Sequence, residues 1–73
     1  RLDGPLSQLT ARELSVLECM ARGHSNAGIS RQLFLGVKTV ETHVRNIMNK
    51  LGLGDSPDTH RRVLAVLAYL GSR

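Results

Sequence analysis

Residues 38–50, KTVETHVRNIMNK, set many hydrogen-bonding side chains at helical spacing. Advancing about 100° per residue puts Lys38, Thr42, Arg45 and Asn49 on one side, with Asn46 and Glu41 at its edges. Val40, Val44, Ile47 and Leu51 take the opposite side, and His43 and Lys50 fall at the boundary. Such polar groups can read base edges. Arginine spans the acceptors of guanine, asparagine pairs with adenine, and threonine meets a thymine methyl or a phosphate. The competing account is an ordinary solvated helix face, which composition by itself does not exclude. Glu41 is the odd member, because phosphates repel a carboxylate. Three roles are open to it. It stands four residues before Arg45, the favourable order for a helical ion pair that would orient the guanidinium. It could instead accept from a cytosine amino group, or be a solvated charge.

A face of this kind needs a brace. The helix that carries it starts near Val37, behind the weak cap Gly36, and Gly52 stops it. Leu35 and Val40 stand at the spacing of a hydrophobic staple. Before it, Ser25 caps a shorter helix over 26–33 with Ala27, Ile29 and Leu33 as apolar positions, and Phe34-Leu35-Gly36 breaks the pattern. A short helix, a tight turn and an amphipathic second helix describe a helix-turn-helix, here residues 25–44. Further upstream, Thr10 and Glu13 are spaced for a capping box and Leu9 and Leu14 for its staple. Val16, Leu17, Met20 and Ala21 then form an apolar face, and Gly23 closes a helix over 11–22. Residues 52–56 read as a loop, and Ser56-Pro57 as a cap with a first-turn proline. A last helix runs from there to about Leu70, before Gly71. No segment alternates like a strand. The expected fold is all-α, a four-helix bundle-like domain containing a helix-turn-helix. Residues 1–8 read as a linker remnant and 9–73 as the domain.

Composition fits one small domain. The chain has 73 residues, 41% of them hydrophobic and only 3% aromatic, so the core is aliphatic and thin. Ten Lys+Arg against six Asp+Glu give +4, which favours an anionic partner. The single cysteine excludes an intrachain disulfide and fits a reducing, cytoplasmic setting. No apolar run approaches the roughly 20 residues of a membrane span. Cys19, His24, His43 and His60 lack the spacing of metal ligands, so Cys19 is expected in the core and His24 to pack. No nucleophile–base or acid–base pair points to an enzyme, and no cofactor is implied. Arg61 and Arg62 open the last helix; phosphates or acidic neighbours are open to them as partners, and solvated charges are the default reading. The chain starts at Arg1 and is expected to be a piece of a longer protein.

The stretch LTARELSVLECMARGHSNAGISRQLFLGVKTVETHVRNIMNKLGL, residues 9–53, resembles the LuxR-type (FixJ-type) DNA-binding domain over about 60% of the chain. The specific pieces are the LT-x-RE start, the G-x-SN step, the I-x-x-x-LFL brace, the KTVETHV recognition start and the KLGL ending. The resemblance implies a four-helix transcription-factor domain whose recognition helix begins at Val37. It implies that Lys38, Thr39 and Asn46 hold the DNA backbone while Glu41, Thr42 and Arg45 face bases. Asn49 and Lys50 complete the candidate DNA-contacting set. Departures are Gly36 where a capping Ser or Thr is usual, Gly28 for an acidic residue, and Leu14 at a commonly charged position. The ending LGLGDSPDTHRRVLAVLAYL resembles a response-regulator branch of the family, which implies a two-component system and an upstream receiver domain. A small-molecule-sensing (quorum-sensing) or ATPase domain upstream is the alternative.

VLAVLAYL, residues 63–70, is apolar all round, so two sides of the helix should be covered. Val63, Leu67 and Leu70 are expected to face the domain's own core. Ala65, Ala68 and Leu64 or Tyr69 are expected to face outward, where small residues permit close approach. The resemblance implies a homodimer paired through this face on a pseudo-palindromic double-stranded DNA site. A covering upstream regulatory domain is the competing account of the same face. A protein-interaction module, with the basic face meeting an acidic partner, is the rival reading for the whole chain.

Overall fold

The computed structural model describes residues 4–54 and 59–72. A 3-10 helix over Gly4–Gln8 leads into four α-helices: α1 (Ala11–Ala21), α2 (Asn26–Leu33), α3 (Val37–Lys50) and α4 (Arg61–Gly71). Helix α1 is the hub. It packs on α2, α3 and α4, while α2 and α3 pack on each other.

Local signals set most of these boundaries. The Thr10 hydroxyl accepts from the Glu13 amide at 3.1 Å, and the Glu13 carboxylate accepts from the Thr10 amide at 2.9 Å. That reciprocal pair satisfies two of the amides a helix start leaves open. Gly23 and Gly52 follow α1 and α3 at φ 92° and 72°, a region where a side chain would be strained. The Ser25 hydroxyl caps α2 by accepting from Gly28 at 3.1 Å. Gly36 gives α3 no side-chain cap. Gly28 also leaves room for His24, since a Cβ there would sit 3.3 Å from its Nδ1.

The core runs through Leu6, Leu9, Val16, Leu17, Cys19, Met20, Ile29, Val40, Ile47, Met48 and Ala65. Cys19 is in it, as its helical position implies. Four expectations need correction. The described part of the stretch read as a linker, Gly4–Gln8, winds into the 3-10 helix and buries Leu6, because Leu6 and Leu9, three apart, both reach the core. Met48 is buried beside Ile47, so the hidden stripe of α3 is wider than the one read from Val40, Val44, Ile47 and Leu51; Val44 and Leu51 are only half-buried. The last helix starts at Arg61, since Thr59 and His60 are non-helical; the expected Ser56-Pro57 start lies outside the described residues.

The fourth correction reverses the faces of α4. Ala65 is fully buried against the core, and Val66 and Tyr69 pack on it. Val63, Leu67 and Leu70 face outward, 55%, 57% and 48% exposed, with Leu64 beside them also exposed. The small residue faces inward because α4 lies close against α1, and only a short side chain fits such an approach.

Candidate nucleic-acid interface

Helix α2, the connector 34–36 and α3 form the helix-turn-helix. Phe34 caps α2 in the left-handed conformation, φ 55° and ψ 45°, and donates its amide to the Ser30 carbonyl. Leu35 donates to the same carbonyl at 3.1 Å, and the Ser30 hydroxyl donates to the Leu35 carbonyl. These bonds lock the turn, and Ile29 and Val40, both fully buried, sit on either side of it.

With Val40, Ile47 and Met48 against the core, the other side of α3 faces outward. Lys38, Thr39, Glu41, Thr42, Arg45 and Asn49 are exposed there, and Asn46 is half-buried at the edge. The Thr42 hydroxyl donates to the Lys38 carbonyl at 3.1 Å. In that rotamer it offers the outside its lone pairs and its methyl group. Glu41 and Arg45 are not ion-paired with each other, whereas Arg22–Glu18 and Lys50–Glu13 are. The guanidinium-orienting role is therefore not what the structure displays.

Lys50 has a structural partner. Its ammonium donates to the Glu13 carboxylate at 2.8 Å, tying the end of α3 to the start of α1. Glu13 is only 3% exposed. Burial by itself would raise its carboxyl. The hydrogen bonds from Lys50 and the Thr10 amide, with the charges of Lys50 and His43, outweigh that and hold it below the ordinary 4.5. The Nδ1 of His43 is buried with no hydrogen-bond partner among the described residues.

Arg62 was read as a solvated charge and is not one. It donates to the Asn26 side chain at 2.9 Å and to the His24 carbonyl at 2.8 Å. Burial draws its pKa below the usual arginine value. It thereby pins the start of α4 to the loop that leads into α2. Its partners lie 36 and 38 residues away, so no local signal reveals them. Next to it, an apolar groove of about 270 Å³ is lined by Met20, His24, Val63, Val66 and Leu67. No group of three or more His, Cys, Asp or Glu among the described residues is arranged to hold a metal. No described helix is long and apolar enough to cross a membrane.

A braced amphipathic helix with an outward hydrogen-bonding face defines a helix-turn-helix DNA-binding domain. The pattern described as bacterial regulatory proteins, luxR family, matches residues 7–68, and the chain belongs to that family of transcriptional regulators. The chain is similar to a nitrate/nitrite response regulator protein homolog of Haemophilus influenzae, 42% identical over 67 residues, covering 92% of this chain and 29% of that protein. It is also similar to the oxygen regulatory protein NreC of Staphylococcus aureus, 46% identical over 54 residues, covering 74% of this chain and 25% of that protein. The chain thus spans less than a third of the curated relatives it matches.

Proposed function

We propose that the chain is the DNA-binding output domain of a bacterial two-component response regulator, and that it binds a specific double-stranded site with α3 in the major groove. What carries this reading is the outward face of α3, six exposed polar or charged side chains backed by the buried Val40, Ile47 and Met48. In it, Lys38, Thr39 and Asn46 hold phosphates and sugars, while Glu41, Thr42 and Arg45 meet base edges. Asn49 lies further along the same face. Lys50 contributes positive field, with its ammonium already engaged by Glu13. The relatives' names as response and oxygen regulators, with the chain covering only 29% and 25% of their lengths, support a further regulatory domain, placed upstream in this reading, whose signal controls this one.

Pairing of two copies through α4 would set two recognition helices about one DNA turn apart, the spacing of a pseudo-palindromic site. The surface for it is the outward stripe Val63, Leu64, Leu67 and Leu70. Ala65, expected in that interface, is buried in the domain's own core; Ala68 and Tyr69 are half-buried and could contribute only at its edge. Selection of bound duplexes from a random pool tests the reading. An inverted repeat whose affinity falls steeply with salt is the expected result. Recovery of no preferred sequence would overturn sequence-specific binding, and binding that ignores salt would overturn the phosphate contacts.

A further inference from the structure

Phe34 combines two costs in one residue. It is 93% exposed, the most exposed large apolar side chain described. Its backbone is left-handed at φ 55°, where a bulky residue is strained and Gly or Asn is the ordinary occupant. An exposed apolar residue alone needs no explanation. An exposed ring that also strains its own backbone at the turn of a helix-turn-helix gives the fold little in return.

The surroundings say what such a ring would meet. Arg31, exposed, stands three residues before it in α2, and Lys38, exposed, four residues after it in α3. Val37, the first residue of α3, is 44% exposed. Three residues of chain span at most about 11 Å, so Phe34 lies close to the N-terminal end of α3. That end of a recognition helix is the one that enters the groove. An exposed apolar ring with one exposed cation three residues before it and another four after it suits a strand of duplex DNA, whose deoxyribose faces present C–H groups between successive phosphates.

We propose that Phe34 is a DNA-positioning residue, its ring packing on the deoxyribose edge of the strand beside the groove that α3 enters, with Arg31 and Lys38 on the flanking phosphates. The proposal rests on the DNA-binding reading above. Sugar contacts carry no sequence information, so the ring would fix depth and register rather than choose bases.

Phe34→Asn separates this from a structural role, because the two predict opposite signs. Asn tolerates the left-handed region, so the variant should melt roughly 2–6 °C higher than the parent chain. Its affinity should nevertheless fall about tenfold, the weight of one lost aromatic contact. The probes are a duplex recovered by selection on the parent chain and a random-sequence duplex. The fall should be equal on both, and the salt dependence unchanged, since no charge is removed. Phe34→Tyr should restore affinity. Parent-level affinity in the Asn variant overturns the proposal while leaving DNA binding intact, as does a loss that tracks a lowered melting temperature. A loss of self-association without a change in DNA affinity would give the ring to a second copy and also overturn it. If the parent chain binds neither duplex, the DNA-binding reading itself fails, and Phe34's role with it.

Discussion

At the residue scale, Glu41, Arg45 and Glu13 show how differently charged side chains are employed. Glu41 and Arg45 are exposed and unpaired with each other. The guanidinium is therefore free to take a guanine edge and the carboxylate free to accept from cytosine. Arg45→Ala should lose about 1–3 kcal/mol on the preferred site and little on random duplex. Lys38→Ala should weaken both alike and reduce the salt slope by about one. Titration of each variant against selected and random duplexes over a salt series checks the pair; equal losses for Arg45→Ala on both duplexes would remove its base-reading role. Glu41→Gln should keep the melting temperature and shift the preferred base, which a repeated selection reads directly. Glu13 works inward. Its folded carboxyl lies below the ordinary 4.5, so the unfolded chain takes up the proton first as pH falls. Its contribution is full above that ordinary value and is lost as pH drops through the lowered folded value. The denaturation midpoint should decline as pH falls below that ordinary carboxylate value, and Glu13→Gln, which can still cap Thr10, should flatten that decline.

At the element scale, what was legible in the sequence is what neighbours in the chain decide. The Thr10–Glu13 box, the Ser25 cap and the glycines at 23 and 52 are local, and each falls where spacing puts it; the apolar stripe of α3 does so at Val40 and Ile47 but widens to Met48. The outward chemistry of α3 was legible for the same reason, since Val40 and Ile47 fix its phase. Helix α4 was not, because VLAVLAYL is apolar on every side and carries no polar residue to mark the wet face. Residue size was then the only guide, and it placed Leu67 inward and Ala65 outward, the reverse of the packing. The Lys50–Glu13 and Arg62–Asn26 ties span 37 and 36 residues, beyond any local pattern. Arg62 shows what such ties contribute. Its two hydrogen bonds join α4 to the lead-in of α2. Removing a charged partner from half-buried groups costs about 1–3 kcal/mol, so Arg62→Ala should lower the chemical-denaturation free energy by that much. Arg62→Lys, which lacks the planar fork, should recover only part of it.

At the scale of the whole molecule, the arrangement separates two surfaces around one hub. Helix α1 packs on α3 behind the polar face and on α4 behind the apolar stripe, so each surface is backed by the same core. A thin core of this kind leaves little margin, and substitutions on α4 should divide sharply by face. Ala65→Leu adds volume where Ala65 has no exposure. Overpacking of that sort costs about 1–3 kcal/mol, and thermal melting should show it as a loss of fold. Leu67→Glu places a charge where the side chain is already more than half exposed, and the melting temperature should hardly move. If the stripe pairs two copies, Leu67→Glu should bind a duplex carrying one half-site as the parent chain does. On a duplex carrying two half-sites, it should lose the roughly 100–10,000-fold gain that linked binding provides. The groove beside Leu67, walled by Met20, Val63 and Val66, would then hold a partner's side chain. Parent-like affinity of Leu67→Glu on the two-site duplex would break the link between α4 and pairing. The stripe would then be left to an upstream domain, and competition by that domain supplied as a separate chain would be the measurement to make.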